Sequence, residues 1–174
     1  MLSIIAIIVV CLIAAVLLLA STKPATFRIA RSATINATPE RVHALINDFQ
    51  RWTAWSPWEK KDPAMQRSYG SSTAGVGAVY SWQGNKNVGE GRMEIVESTP
   101  VRIVIKLDFF KPFEAHNTAE FTLAQQGSAT EVNWVMHGPN TFIGKVMQLF
   151  FSMDNMVGKD FEAGLVALKA NAEQ

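Results

Sequence analysis

The chain begins with an unbroken apolar stretch. Residues 2–20, LSIIAIIVVCLIAAVLLLA, contain no charged side chain. A helix of this length rises about 28 Å, close to the roughly 30 Å hydrocarbon thickness of a bilayer. The pattern therefore predicts a transmembrane anchor over residues 1–22, followed by a linker at 23–25 and a folded domain over 26–174.

The flanks of this stretch bear on its type and orientation. A cleaved signal peptide is the alternative, but signal peptides place a basic segment before an apolar core of about 7–15 residues. No Lys or Arg precedes this longer run, so an uncleaved anchor is the preferred interpretation. Lys23, Arg28 and Arg31 follow the run closely. Because basic residues favour the cytoplasmic side, we expect a single-pass membrane protein whose domain lies in the cytoplasm.

After the linker, the pattern changes to period two and then to a helical period. The stretch TFRIARSATI alternates and predicts a first strand that ends near Ile35. In NATPERVHALINDF, Pro39 begins a run with apolar residues at i, i+3, i+4 and i+7 from Val42, which predicts an amphipathic helix of about three turns. Tryptophans at 52, 55 and 58 surround Pro57 and predict a short helix at a structural corner, with a ligand lid as the alternative.

Residues 65–137 consist of short alternating segments separated by Gly, Asn and Pro. Six strands in an antiparallel meander fit this pattern, with one apolar face and one face that carries charges such as Glu94 and Asp108. The predicted apolar face contains Tyr80, Trp82, Met93, Ile95, Ile103, Ile105, Leu107, Phe109, Ala115, Asn117, Ala119, Phe121, Val132, Trp134 and Met136. After Pro139 the helical period returns and predicts a long C-terminal helix that covers this face.

Composition and charge remove several classes of function. The 16 basic and 15 acidic residues leave a net charge of +1 without a basic stripe, so we expect no binding to nucleic acid. Cys11 is the single cysteine and cannot form an intrachain disulfide. His43, His116 and His137 lack the spacing of metal ligands, so neither a metal nor a cofactor is predicted.

Candidates for catalysis are few. General acid–base chemistry needs a titratable group within reach of the substrate, whereas strand alternation directs the carboxylates of this sheet to solvent. A bulge near Gly89 or Gly91 would turn Glu90 or Glu94 inward, so these two glutamates are the catalytic candidates.

Four stretches of the chain resemble a known superfamily. They are INATPERVHALINDFQRWTAWSPW, GAVYSWQGNKNVGEGRMEIVES, TEVNWVMHG and MDNMVGKDFEAGLVALK. They are similar to the START-related, Bet v 1-like superfamily called SRPBCC, and specifically to its polyketide cyclase/dehydrase-like members. The resemblance covers about residues 26–170. It implies an α+β helix-grip fold, in which a curved antiparallel β-sheet wraps around a long C-terminal α-helix, here preceded by one transmembrane helix.

The resemblance also implies a cavity between the sheet and the last helix. Superfamily members include lipid carriers, hormone and allergen-type binders, and aromatase/cyclases, so the fold does not select one function. The preferred hypothesis is a membrane-anchored binder of a hydrophobic small molecule or lipid. The alternatives are a polyketide cyclase/dehydratase-like enzyme and a protein-interaction module whose cavity is filled by Trp82, Trp134 and Phe121. The predicted ligand-binding residues are Trp55, Tyr80, Trp82, Met93, Ile105, Phe109, Asn117, Phe121, Trp134, Met136, Phe161 and Leu165.

The segment at residues 142–157 has two interpretations. It is apolar and rich in methionine, with Lys145 and Asp154 as its charges. The first interpretation is that it covers the sheet. The second is that it forms a gate from the cavity to the adjacent bilayer, because methionine side chains repack easily around varied apolar ligands.

Overall fold

The computed structural model describes the backbone of residues 2–174 and the side chains from residue 4 onward. Its helices are α1 (Leu2–Ser21), α2 (Pro39–Ile46), α3 (Trp52–Trp55), α4 (Pro57–Lys61), α5 (Phe142–Met147) and α6 (Met153–Ala172). Its strands are β1 (Thr26–Ile35), β2 (Gln66–Tyr69), β3 (Val79–Gln83), β4 (Glu90–Thr99), β5 (Arg102–Lys111), β6 (Ala115–Gln126) and β7 (Ala129–Pro139).

The seven strands form one antiparallel sheet in the order β1-β7-β6-β5-β4-β3-β2. Strands β2 to β7 follow one another as a meander, and β1 closes the far edge against β7. Alternate residues of β3 to β7 are buried, and α6 covers this buried face. The α+β helix-grip fold predicted from the sequence is therefore confirmed.

Helix α2 is shorter than the predicted three turns. It ends at Ile46, because Asp48 adopts an extended backbone and pairs with Ala74 in an isolated bridge. The carboxylate of Asp48 accepts a hydrogen bond of 3.0 Å from the Gln50 N–H and begins a separate 3-10 turn at Phe49–Arg51. A side-chain acceptor that competes for backbone donors in this way commonly ends one helix and begins another.

The first two tryptophans of the predicted corner close the end of α2. The indole N–H of Trp52 donates to the Ile46 carbonyl at 2.8 Å, and that of Trp55 donates to the Leu45 carbonyl at 3.0 Å. These carbonyls belong to the last turn of α2, where helical partners are missing. Pro57 then begins α4, as the sequence pattern predicts for the end of the preceding short helix.

Two close contacts hold α6 on the sheet. The Arg31 guanidinium lies over Gly158, which has no side chain to obstruct it, and pairs with Asp154 at 3.1 Å and Glu162 at 2.7 Å. One turn and a half further along, the backbone of Gly164 approaches the ring of Trp134 so closely that a Cβ would lie 2.8 Å from it. Both glycines are required by close approach of a large neighbour.

The linker meets the sheet at one of its two ends, which we call the linker end. Here β1 begins, β7 ends, and the β3–β4 and β5–β6 turns lie, as the antiparallel register requires. Helix α1 leads into this end through the linker, and α5 follows from it. The N-terminal half of α6 lies nearby, since Asp154 pairs with Arg31 of β1.

Helix α1 is long and apolar enough to cross a membrane, with a mean hydropathy of 3.3 over Ile4–Ser21. Its side chains are almost all exposed, in contrast to the core helix of a globular domain. A signal sequence near an N-terminus meets the same criterion of length and composition. The expected span at residues 2–20 thus has a matching helix.

Candidate functional site

A cavity of about 280 Å³ lies between the buried face of the sheet and helices α4 and α6. Its walls are mainly aromatic and aliphatic, with few polar groups. The lining residues are Trp52, Ser56, Trp58, Glu59, Met65, Tyr80, Trp82, Lys86, Asn87, Val88, Gly89, Met93, Leu107, Phe109, Lys111, Pro112, Ala119, Trp134, Met136, Val157 and Phe161.

The cavity opens at the linker end. Most of its lining is buried or half-buried, and the exposed members are Lys86, Asn87, Lys111 and Pro112. Lys86 and Asn87 lie in the β3–β4 turn, Lys111 ends β5, and Pro112 follows it in the β5–β6 turn. The mouth therefore lies between the two turns, with a lysine on each side, while the interior extends toward the stacked rings of the core.

Seven of the twelve residues predicted to bind a ligand line this cavity. They are Tyr80, Trp82, Met93, Phe109, Trp134, Met136 and Phe161. Six of them lie at inward-facing alternating positions of β3 to β7, and Phe161 lies on the face of α6 that covers the sheet. Within the group, the Trp134 and Phe161 rings stack with centroids 4.0 Å apart and planes 5° from parallel.

The other five predicted residues lie outside the cavity lining. They are Trp55, Ile105, Asn117, Phe121 and Leu165, and all are buried. The tryptophans of α3 fill the space at this level of the sheet, since Trp55 packs edge-on against Phe121 with centroids 6.1 Å apart. The inward face is thus divided into a filled part and a hollow part, which strand alternation alone does not distinguish.

Several lining residues were not among the predicted site. Trp58, Glu59 and Met65 come from α4 and the segment that follows it, and Val157 comes from α6. Leu107 and Ala119 were assigned to the apolar face without being placed in the site. The tryptophan spacing at 52, 55 and 58 was only a partial signal, because the backbone is extended at Ser56 between α3 and α4 and the helical period does not continue to Trp58.

A polar cluster forms part of the cavity wall. The Tyr80 hydroxyl donates to Glu59 Oε1 at 2.8 Å, and Arg67 Nε donates to Glu59 Oε2 at 2.7 Å. The Glu59 side chain is only 8% exposed. Burial, reinforced by the hydrogen bond to the Glu59 carboxylate, raises the pKa of Tyr80 far above its ordinary value, so the hydroxyl remains a donor. Both carboxylate oxygens are therefore occupied within the protein.

Glu90 and Glu94 do not line the cavity. They lie on the outer side of β4, where Glu90 pairs with Lys111 at 2.7 Å and Glu94 pairs with Arg92 at 2.8 Å. An irregularity does occur between Glu90 and Gly91, as anticipated, but the inward positions of β4 remain Gly91, Met93 and Ile95. The one carboxylate on the cavity wall is that of Glu59.

The histidines lie outside the cavity as well. On the outer face, His116 Nδ1 is 2.7 Å from Asp108 Oδ1, and this hydrogen bond is the main cause that raises the pKa of His116. His43 is partly buried, and burial lowers its pKa. In the part of the chain that the structure describes, no three His, Cys, Asp or Glu side chains are grouped to hold a metal ion.

Structural comparison places the domain among small helix-grip proteins. Protein CV1439 from Chromobacterium violaceum is 18% identical to this chain. The alignment covers 87% of this chain and 99% of CV1439, with a TM-score of 0.60. Major latex-like protein 151 from Panax ginseng is 12% identical, with coverages of 87% and 100% and a TM-score of 0.59. The di-domain ARO/CYC StfQ of the steffimycin biosynthetic pathway is 9% identical, with coverages of 85% and 51% and a TM-score of 0.62.

Sequence comparison is more specific. No significant match is found among curated proteins. Residues 26–173 match the family described as polyketide cyclase/dehydrase and lipid transport, which is the whole folded domain without α1. The resemblance inferred from the sequence is confirmed by this match and by the structural neighbours. The chain belongs to the polyketide cyclase/dehydrase and lipid transport family.

Proposed function

We propose that this protein binds a compact hydrophobic small molecule, or a single lipid chain, in the cavity between the sheet and α6. The observation that carries the proposal is the cavity lining, which is aromatic and aliphatic apart from Glu59 and a few groups at the mouth. Apolar walls with a few fixed polar groups are typical of binding sites for small molecules. The family and the StfQ neighbour support a role in ligand binding or cyclisation at this place in the fold.

The volume limits the ligand. At about 280 Å³ the cavity lies at the lower end of the roughly 300–1,000 Å³ common for small-molecule sites. A two-chain phospholipid is several times larger than this space. Lys86 and Lys111 at the mouth provide positions for a polar or anionic group that remains outside the apolar interior. The ligand class that fits is a compact apolar body with a polar end.

We further propose that α1 anchors the protein in a membrane, with the domain on the cytoplasmic side. Its uncharged 18-residue window and its exposed side chains support an anchor. The basic residues that follow it, Lys23, Arg28 and Arg31, support the cytoplasmic orientation. Such an anchor would keep the cavity next to a source of apolar ligands.

Native mass spectrometry of the full chain, released from detergent micelles, tests ligand binding. Ala119→Phe places a ring in the cavity, whereas Ala124→Phe adds the same ring to an exposed position of the same strand. We expect a stoichiometric apolar adduct on the wild type and on Ala124→Phe, and its loss from Ala119→Phe. If the wild type carries no adduct even after incubation with membrane lipids, the proposal is wrong and the protein-interaction module becomes the favoured function.

A second function, cyclase/dehydratase-like catalysis, is favoured by one observation. Glu59 and Tyr80 put a carboxylate and a hydroxyl side by side on the cavity wall, which are groups that acid–base chemistry on a polyketone requires. The test is turnover of a short linear polyketone, followed by liquid chromatography and mass spectrometry. A catalytic role predicts a large loss of product in Glu59→Gln with adduct binding retained. Absence of turnover in the wild type would exclude this function for that substrate class.

A further inference from the structure

The exposed apolar side chains of the folded domain are concentrated at its linker end. In residues 26–174, every exposed Phe, Ile and Met lies there, whereas the four large apolar residues exposed elsewhere are scattered valines. The group at α5 and the loop after it is continuous, and we call it the apolar shoulder. It consists of Phe142, Ile143, Met147, Phe150 and Phe151, which are 43–66% exposed. A patch of this kind on a small domain marks an interaction surface.

The position of helix α1 indicates what surrounds the apolar shoulder. Helix α5 packs against α1, and the covered side chains of α1 within residues 4–20 are Val16 and Ala20, one turn apart. Val16 lies five residues before the end of α1 at Ser21, which is about 7.5 Å along the helix axis. The apolar shoulder is therefore level with the last turns of the apolar helix instead of lying beyond its end. Any bilayer that surrounds α1 must also meet α5.

The junction between α1 and the domain is fixed by hydrogen bonds. The Asn140 backbone N–H donates to the Ala25 carbonyl at 2.8 Å, and its side-chain amide donates to the Pro24 carbonyl at 3.1 Å. The Gln148 amide in turn donates to Asn140 Oδ1 at 3.2 Å. The linker is thus bound to Asn140, just before α5, and Asn140 is in turn bound to Gln148, just after α5. These bonds restrict the orientation of the apolar shoulder relative to α1.

The charges around the apolar shoulder suit lipid headgroups. Lys23 in the linker and Lys145 on α5 form no ion pair in the part of the chain that the structure describes. Apolar side chains bordered by lysines are typical of segments that lie in the membrane interface, where the lysines attract anionic lipids. If the partner were a protein, the apolar shoulder would not need to lie level with the last turns of α1.

We infer that the apolar shoulder inserts into the interface of the same bilayer that holds α1, so that the domain lies on the membrane with its cavity mouth toward the lipid. The inference rests on the membrane anchoring proposed above, but not on ligand binding. The β5–β6 turn, which borders the mouth, carries the exposed Phe113 at the same end. An apolar ligand would then pass between bilayer and cavity without crossing bulk water.

Depth-dependent fluorescence quenching tests this inference with the full chain. The protein is reconstituted into phosphatidylcholine vesicles with a minor fraction of phosphatidylglycerol, and NBD-labelled cysteines are quenched by acyl-chain-brominated lipids. The native Cys11 in α1 reports on the anchor itself. In a Cys11→Ser background, single cysteines at Phe150 and Phe113 report on the docked end, and one at the exposed Val101 at the opposite end is the control.

We expect strong quenching at Cys11, quenching at Phe150 and Phe113 severalfold above that at Val101, and almost none at Val101. If the label at Cys11 is quenched but the label at position 150 is quenched no more than that at position 101, the inference that the apolar shoulder inserts is wrong, while the proposal that α1 spans the bilayer stands. If Phe150 is quenched and Phe113 is not, the orientation of the mouth toward lipid is wrong. An unquenched Cys11 overturns the anchor and the docking together. Each labelled position is exposed, so the substitutions leave the core intact.

Discussion

At the scale of single residues, the arrangement around Glu59 shows how one buried carboxylate is accommodated in an apolar wall. Glu59 is held by the Tyr80 hydroxyl on one oxygen and by the Arg67 guanidinium on the other. A buried carboxylate without such partners would be costly. The same arrangement places the one carboxylate of the cavity wall beside a hydroxyl donor.

Removal of one hydroxyl tests the strength of this arrangement. Tyr80→Phe deletes the donor to Glu59 Oε1, and a hydrogen bond to a charged group contributes roughly 1.5–3 kcal/mol. We expect the free energy of unfolding in urea to fall by about that amount. Tyr69→Phe, on the neighbouring strand, is the control, since its hydroxyl has no hydrogen bond in the described residues. Equal effects of both substitutions would contradict the role of the Glu59 contact.

The outer-face pair of His116 and Asp108 predicts a dependence on pH. The folded-state pKa of His116 is raised above its ordinary 6.5, chiefly by its hydrogen bond to Asp108. Its contribution to stability is therefore fully present below pH 6.5 and is lost as the pH rises through the raised value. Urea unfolding at a series of pH values should show wild type losing stability relative to His116→Asn over that window. Parallel pH profiles for the two proteins would refute the linkage.

At the scale of elements, the position of α6 depends on missing side chains. Gly164 lets the α6 backbone approach Trp134 and Pro57, and Gly158 leaves a path for Arg31. Because the cavity is bounded on one side by α6, through Val157 and Phe161, these contacts also set the height of the cavity. A small displacement of α6 would change the volume available to a ligand.

A substitution at Gly164 measures how tightly the helix is docked. Gly164→Val forces atoms into the Trp134 and Pro57 rings, and overpacking of this type costs roughly 1–3 kcal/mol. We expect a fall of about that size in the free energy of unfolding, although valine is the better helix former. Ala163→Val on the exposed side of α6 should cost about 0.5 kcal/mol or less. A stabilised Gly164→Val protein would show that α6 is not closely packed there.

At the scale of the whole molecule, the cavity, its mouth and the apolar helix are arranged on one side. The mouth lies between turns at the linker end, the end from which α1 leaves the domain. In an antiparallel meander this arrangement follows from the register, because all odd turns must lie at one end and all even turns at the other. The topology, and not any one residue, therefore places the apolar helix and the cavity mouth at the same end of the domain.

Asn140 joins the linker to α5 and provides a test at the same scale. Asn140→Ala removes the side-chain bonds to Pro24 and Gln148 while leaving α1 and the cavity unchanged. We expect less quenching of a label at Phe150 by brominated lipid, with retention of the protein in vesicles unaffected. Asn133→Ala, on the outer face of β7, is the matched control and should leave the quenching unchanged. Unchanged quenching in Asn140→Ala would show that the hydrogen bonds of Asn140 do not position the apolar shoulder.

The fold class, the family and the inward-facing residues of the sheet could all be predicted from the amino-acid sequence. Period-two alternation decides which face of a strand is buried, so Tyr80, Trp82 and Met93 were assigned inward correctly. Pro57 marked the end of a short helix. These features depend on neighbours along the chain, which a linear pattern records. The ligand role of the cavity and the membrane role of α1 remain predictions.

Which part of the inward face is filled and which part is hollow depends on the tertiary structure. Phe121 and Trp134 are partners on neighbouring strands and both pack edge-on against Trp55, yet only Trp134 also borders the cavity. Likewise, Glu59 reaches the cavity because α4 places it opposite Tyr80, 21 residues away in sequence. Such facts depend on which distant segment occupies the space above a residue. The periodicity of the chain carries no information about that space, because it records direction and not distance.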